Sequence, residues 1–280
     1  MSTLLEPFQF AFFRNGLIVA TLAGALCGLV GVYVTLRGMS YIGHGLSHAI
    51  FGGAAASAVI SFNFYAGAGL WGLASALLIG RVTRRRIIGA DAAIGVVTTA
   101  SFALGLALVN RFGQVKKSVD AALFGSILGV SPTDVWVVAA VTVLVAAVVF
   151  FGYRSLLFTT FDPEVADASG VRTARVDALL MAVLAVSILA TMKVLGVVLI
   201  AATLVIPAVV ARMLTNSFAR MIGLAVGIGA FCGFAGMMAS YHLDVSSGAS
   251  IVLVGATLFC AVFAATGSRG LRRAAALDAA

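Results

Sequence analysis

The chain has 280 residues, 62% of them hydrophobic and only 10% charged, with a mean hydropathy of +1.13. A soluble domain of this length could not cover its surface with polar groups, so that class is excluded. The net charge of +8 does not point to nucleic acid, because the basic residues fall in short segments between apolar runs, as the positive-inside bias of membrane proteins requires.

Apolar runs near 20 residues recur from 16 to 266, and the alternation of a membrane barrel is absent. The fold class is all-α, a polytopic membrane protein with about 8–9 transmembrane helices. Residues 1–15 carry Phe8, Phe10, Phe12 and Phe13 and read as an N-terminal interfacial segment. They lack the basic n-region of a cleaved signal peptide. Residues 16–267 form the transmembrane domain, and 268–280 form a basic cytoplasmic tail.

The first span, 16–36, is rich in Gly and Ala, which permits close helix approach. Arg37 ends it. Residues 38–80 contain no Asp, Glu, Lys or Arg. As one helix they would reach about 63 Å, twice the hydrocarbon thickness, so they predict two spans turning near Asn63. RVTRRR, at 81–86, is the strongest cytoplasmic signal in the chain. Residues 91–109 form the next span, and 111–117 a polar loop. Residues 118–130 are too short to cross and read as an interfacial or re-entrant helix, stopped by Ser131-Pro132.

Residues 133–153 cross again. The longest polar stretch, 154–176, contains an acidic portion, 162–167. Asp162-Pro163 can start a short helix there and Gly170 can close it. Residues 177–214 are too long for one span and predict two crossings with a break around 193–196. The last spans are 221–241 and 250–266. Cys27, Cys232 and Cys260 are isolated within apolar runs and read as small packing residues.

Placing Arg37, 81–86, 154–175, 212–220 and 269–273 in the cytoplasm puts 13 of the 18 basic residues inside. The implied topology has the N-terminus outside and the C-terminus inside. Lys193 sits in an apolar run, where it can snorkel from a helix end. Asp91 and Asp177 fall at expected helix starts, where a carboxylate favours the dipole.

No phosphate-cradling GxxxxGK[ST] is present, so ATP hydrolysis is not expected of this chain. HExxH, GxSxG and CxxC are absent too. The chemistry that remains is a pathway. His44 and His48, four residues apart within a charge-free run, would share one helix face. Intramembrane polar groups are costly and mark ion pathways, although interhelical hydrogen bonding is a structural alternative. Gly43, Gly45, Gly52 and Gly53 surround the pair and allow either broken helix or close approach. Because His44 is only seven residues past cytoplasmic Arg37, placing the pair deep in the membrane requires 38–45 to fold back as broken backbone.

Several segments resemble the ABC-3 family, the permease subunits of bacterial ABC transporters for manganese, zinc and iron. LRGMSYIGHGLSHA is similar to that family's R-x-M-S-x-x-G-D-x-x-S-H-A segment, and AIGVVTTASFALGL to its "AIGI…FALG" span. DAALFGSILGV resembles its "LFGNILGV" helix, and FDPEVADASG its "FDEEFARASG" loop. VLGVVLIAATLVIPAVVARML and SYHLDVSSGASIVLV resemble its last two segments, so six occur in the family's order.

The resemblance implies a plasma-membrane importer with a second permease copy, cytoplasmic ABC ATPase subunits and an extracytoplasmic metal-binding protein, moving metal by alternating access. It implies no permanently bound cofactor, only a transported ion. In the family's first segment an Asp and a His contact that ion. His48 matches the His, and His44 stands at the Asp position. Imidazole suits Zn²⁺ and Fe²⁺, carboxylate suits Mn²⁺, so the pair points to zinc first, manganese next, then iron. The resemblance also assigns Asp162, Pro163, Glu164, Ala168 and Gly170 to a segment, 161–171, coupled to the ATPase. Asp244 matches a family Asp and His242 lies beside it; a metal-entry role and a solvated loop both fit. Two alternatives remain open from the residues: a permease for an iron chelate or haem, and a stand-alone carrier driven by an ion gradient.

Overall fold

The computed structural model describes residues 6–84, 90–112, 123, 125 and 130–278, and among them every regular element is helical. After a 3-10 turn at Glu6–Gln9 come α1 (Ala11–Leu36), α2 (Ser40–Val59), α3 (Phe64–Arg84), α4 (Ala90–Phe112) and α5 (Pro132–Phe151). Two short helices follow, α6 (Tyr153–Phe161) and α7 (Pro163–Ala168). Then come α8 (Thr173–Leu195), α9 (Ile200–Leu214), α10 (Phe218–Leu243) and α11 (Ser247–Asp278). Seven of these are long and apolar enough to cross a bilayer. The 20-residue α2 and the 15-residue α9 are further apolar helices of the bundle, in line with an expected count of about 8–9.

α1 is the axis of the bundle. Its most apolar stretch is 78% buried, against 22% for α5 and for α11, which lie at the periphery. It packs against α10, α9, α5 and α8. Glycine makes the α1–α10 contact close: a Cβ on Gly24 would sit 2.0 Å from the Gly229 carbonyl oxygen, and one on Gly229 would sit 2.1 Å from that of Gly24. Gly28 and Gly233 meet the facing backbone in the same way. Water cannot drive helix association inside lipid, so this van der Waals contact between backbones is what holds the pair.

The boundaries follow local chemistry. Gly38 has a φ of +67° and lets the chain leave α1 and turn into α2. Ser131 caps α5 in a reciprocal box with Asp134, and Pro132 occupies its first turn. Gly196, at φ +75°, ends α8 where the break was expected. α1 starts at Ala11 rather than at 16, and Phe13, placed with the interfacial segment above, is buried between Phe8 and Tyr241 at ring distances of 5.7 and 5.2 Å. α11 continues as helix past 267, to Asp278. Most of the 118–130 segment and the side chains at 83–91 and beyond 266 lie outside the described residues.

Candidate metal pathway

α2 is one unbroken helix from Ser40 to Val59. The broken backbone expected over 38–45 is confined to the turn at Arg37 and Gly38. The glycines around the histidines serve close approach instead. A Cβ on Gly45 would meet Ile94 Cγ2 at 2.6 Å, one on Gly52 the Ser101 carbonyl oxygen at 2.2 Å, and one on Gly53 the Trp71 Cβ at 2.3 Å. These contacts draw α3 and α4 tightly against α2.

Ser47, between the two histidines, is fully buried, and its Oγ lies 2.9 Å from the Val197 carbonyl oxygen and 2.7 Å from that of His44. A hydroxyl has one proton, so it donates to these acceptors in turn. Val197 lies in the break between α8 and α9, at the opposite end of α8 from Asp177. The histidine helix is therefore tied to the broken backbone of a neighbour. Leu123 and Gly125 touch the same break: the Leu123 carbonyl accepts from Val198 N at 3.2 Å, and a Cβ on Gly125 would sit 2.2 Å from the Val194 carbonyl oxygen.

His44 and His48 share a face, as their spacing requires. Their ring centroids are 4.4 Å apart in an edge-to-face arrangement, and His48 stands edge-to-face on Phe102 of α4 at 4.5 Å. Both rings are half-buried. His48 Nδ1 lies 2.9 Å from the His44 carbonyl oxygen. A carbonyl only accepts, so Nδ1 carries the proton, and the neutral form of the ring keeps its lone pair on Nε2. A neutral imidazole with one nitrogen held by a carbonyl is the usual state of a metal-ligating histidine.

Among the described residues no third His, Cys, Asp or Glu joins the pair. His242, in the last turn of α10, and Asp244, in the α10–α11 connection, are exposed and apart from it. Asp244 adopts a left-handed backbone, φ +52°, and its N–H caps the Ser240 carbonyl. That gives it a role in ending α10.

The polar segment folds as its residues suggest. Asp162 caps α7 by accepting from Val165 N at 2.9 Å, Pro163 opens it, and Gly170 at φ +83° closes it. Ala166 is buried, while Asp162, Pro163, Glu164, Ala168 and Gly170 are exposed, as are Phe161 and Val165. Exposed Arg154, Arg172, Arg175, Arg212 and Arg220 lie at or beside the ends of α6, α8, α9 and α10 that face this side, the distribution expected of a cytoplasmic face.

Sequence reasoning missed two polar clusters. Asp177 is not a dipole-favouring helix start: α8 begins at Thr173, and the Asp177 carboxylate pairs with Arg37 at 2.7 Å. Lys193 does not snorkel freely, since its Nζ lies 2.8 Å from Asp134 Oδ1 and 4.8 Å above the Tyr65 ring. Tyr65 O–H also donates to that carboxylate, and Ser131 N and Oγ reach its other oxygen at 2.9 and 2.8 Å. The S-P-T-D cap was a legible signal for part of this knot; the partners from α3 and α8 were not. Replacing Lys193 by Met leaves a buried carboxylate short of its cation. A loss of about 2–3 kcal/mol is expected, read as a lower thermal midpoint in detergent and largely recovered in the Asp134→Asn/Lys193→Met double variant. An unchanged midpoint in the single variant would show that the pair contributes nothing.

Three comparisons bear on this arrangement. The ABC 3 transport family model matches residues 9–266. The chain is 37% identical over 258 residues to the manganese transport system membrane protein MntC of Halalkalibacterium halodurans, covering 92% of this chain and 88% of that one. It is 38% identical over 257 residues to the manganese import system permease protein ScaB of Streptococcus parasanguinis, covering 91% of each. The solved structure of PsaBC from Streptococcus pneumoniae in complex with Fab superposes with a TM-score of 0.85 at 33% identity, over 94% of this chain and 95% of that one.

Proposed function

The chain belongs to the ABC 3 transport family, a permease of the bacterial plasma membrane, and from that premise we propose that it carries a divalent metal ion inward past His44 and His48. The observation that carries the reading is the edge-to-face histidine pair, half-open on α2 and tied through Ser47 to the α8–α9 break. A second permease copy facing this surface would bring two pairs together around the ion. Separate ATPase subunits would dock on α7, and an external binding protein would deliver the ion to the opposite end.

Manganese moves ahead of zinc in this reading, with iron third. The relatives' names favour manganese, and the chemistry accommodates it. A transported ion must leave as readily as it enters. Imidazoles hold the harder Mn²⁺ more weakly than Zn²⁺, which suits passage rather than storage. The ion-gradient carrier loses its extra candidate, because Lys193 is engaged by Asp134.

The test is competition uptake into vesicles holding the chain with its ATPase and binding protein. His44→Asp replaces a nitrogen donor with a harder oxygen donor. It is expected to raise the manganese-to-zinc uptake ratio by about tenfold, equivalent to about 1.4 kcal/mol. An unchanged ratio would remove His44 from the ion's coordination.

A further inference from the structure

Arg37 closes α1 and immediately precedes the turn into the histidine helix. Its side chain is 10% exposed, and its guanidinium holds three partners. Nη1 donates to Asp177 Oδ1 at 2.7 Å, Nη2 to Thr159 Oγ1 at 2.7 Å, and Nε to Thr160 Oγ1 at 3.2 Å. The two threonines lie in the last turn of α6, just ahead of the Asp162 cap of α7. Asp177 lies early in α8, just after α7. One planar group thus grips the chain on both sides of the exposed helix. A lysine ammonium could not reproduce that fork.

The other end of the link is stiff. Arg37 N bonds the Tyr33 carbonyl at 3.1 Å and Met39 N bonds the Val34 carbonyl at 2.9 Å, so the turn is folded back onto α1. His44 follows in the second turn of α2. Beside Arg37 is an open pocket of about 360 Å³, lined by Arg37, Met39, Ile42, Thr160, Pro163 and Asp177 among others. Close-packed interiors resist displacement; here there is room for the turn and the start of α7 to shift relative to one another.

We propose that Arg37 is a positioning residue that transmits displacement of α7 to the histidine-bearing helix, coupling ATP hydrolysis to opening of the metal pathway. This rests on the reading of α7 as the ATPase-docking element. It makes no contact with the transported ion in this role, so its loss should separate hydrolysis from transport without altering the ion's half-saturating concentration.

The experiment measures manganese uptake per ATP hydrolysed by the full complex in vesicles. Arg37→Met is expected to lower that ratio by about tenfold, with ATPase activity retained and the half-saturating manganese concentration unchanged. Thr159→Val/Thr160→Val removes two acceptors without changing charge and should lower the ratio in the same direction. It decides the matter if Arg37→Met fails to assemble. Arg37→Lys should restore the ratio only in part. A wild-type ratio in both variants would overturn the proposal, as would a parallel loss of hydrolysis and uptake in an intact complex. If the unaltered complex accumulates no metal, the transport reading itself falls; if it does and the variants match it, only the coupling role falls.

Discussion

Replacing His48 by Ala should lower metal uptake by at least about 100-fold while leaving the complex assembled and able to hydrolyse ATP. Outer partners of ligating histidines already cost about 10–100-fold when removed, and His48 is proposed as a ligand itself. Its Nδ1 is held by the His44 carbonyl, which leaves Nε2 as the donor. Alanine removes that donor without touching Ser47, whose hydroxyl keeps α2 tied to the α8–α9 break. The ring also packs on Phe102, so a phenylalanine variant serves as the control for lost packing. His48→Phe should restore thermal stability and not uptake. Transport by His48→Ala at the unaltered rate would take the residue out of the pathway.

The second large effect concerns the scaffold. A Gly229→Val variant should fail to give a folded permease, because a side chain there must displace backbone rather than a flexible neighbour. The Gly24 carbonyl lies 2.1 Å from where the Cβ would be, and α1 and α10 would have to separate along their length. Overpacking a core typically costs about 1–3 kcal/mol, and a clash with rigid backbone belongs at or above the top of that range. Gly227, on the same helix, has nothing within 4 Å of its would-be Cβ. Gly227→Ala should therefore be neutral, or stabilising by about 0.5–1 kcal/mol through helix propensity. Equal thermal midpoints for the two variants would contradict the glycine-mediated contact.

Much of the fold was legible because lipid imposes strict rules. The absence of charge over 38–80 demanded two spans, and the turn between α2 and α3 falls at 60–63, beside the expected Asn63. Asp162-Pro163 and Gly170 announced a short helix by cap chemistry alone, and Pro163–Ala168 is that helix. The histidine pair was visible from a spacing of four on an otherwise apolar run.

What could not be read were contacts between distant segments. Arg37 looked like the end of a span, and only the fold brings Thr159, Thr160 and Asp177 to it, more than a hundred residues away. Lys193 looked like a stray cation until α5 supplied Asp134 and α3 supplied Tyr65. The glycines beside the histidines were open to two readings, and the facing side chains and backbone decide for close approach. Linear counting from Arg37 demanded a broken helix. That break is not found: the histidines stay on regular helix, and the broken backbone that Ser47 touches belongs to α8–α9.

The central claim is that this chain, with its ATPase partners, passes a divalent metal ion along the face bearing His44 and His48. ATP-dependent uptake of radioactive manganese into vesicles holding the complete complex tests it most directly, with zinc and iron added as competitors. The expected result is accumulation that requires ATP, is reduced by both competitors and is lost in His48→Ala. Accumulation of no divalent ion, or accumulation indifferent to both histidines, would contradict it.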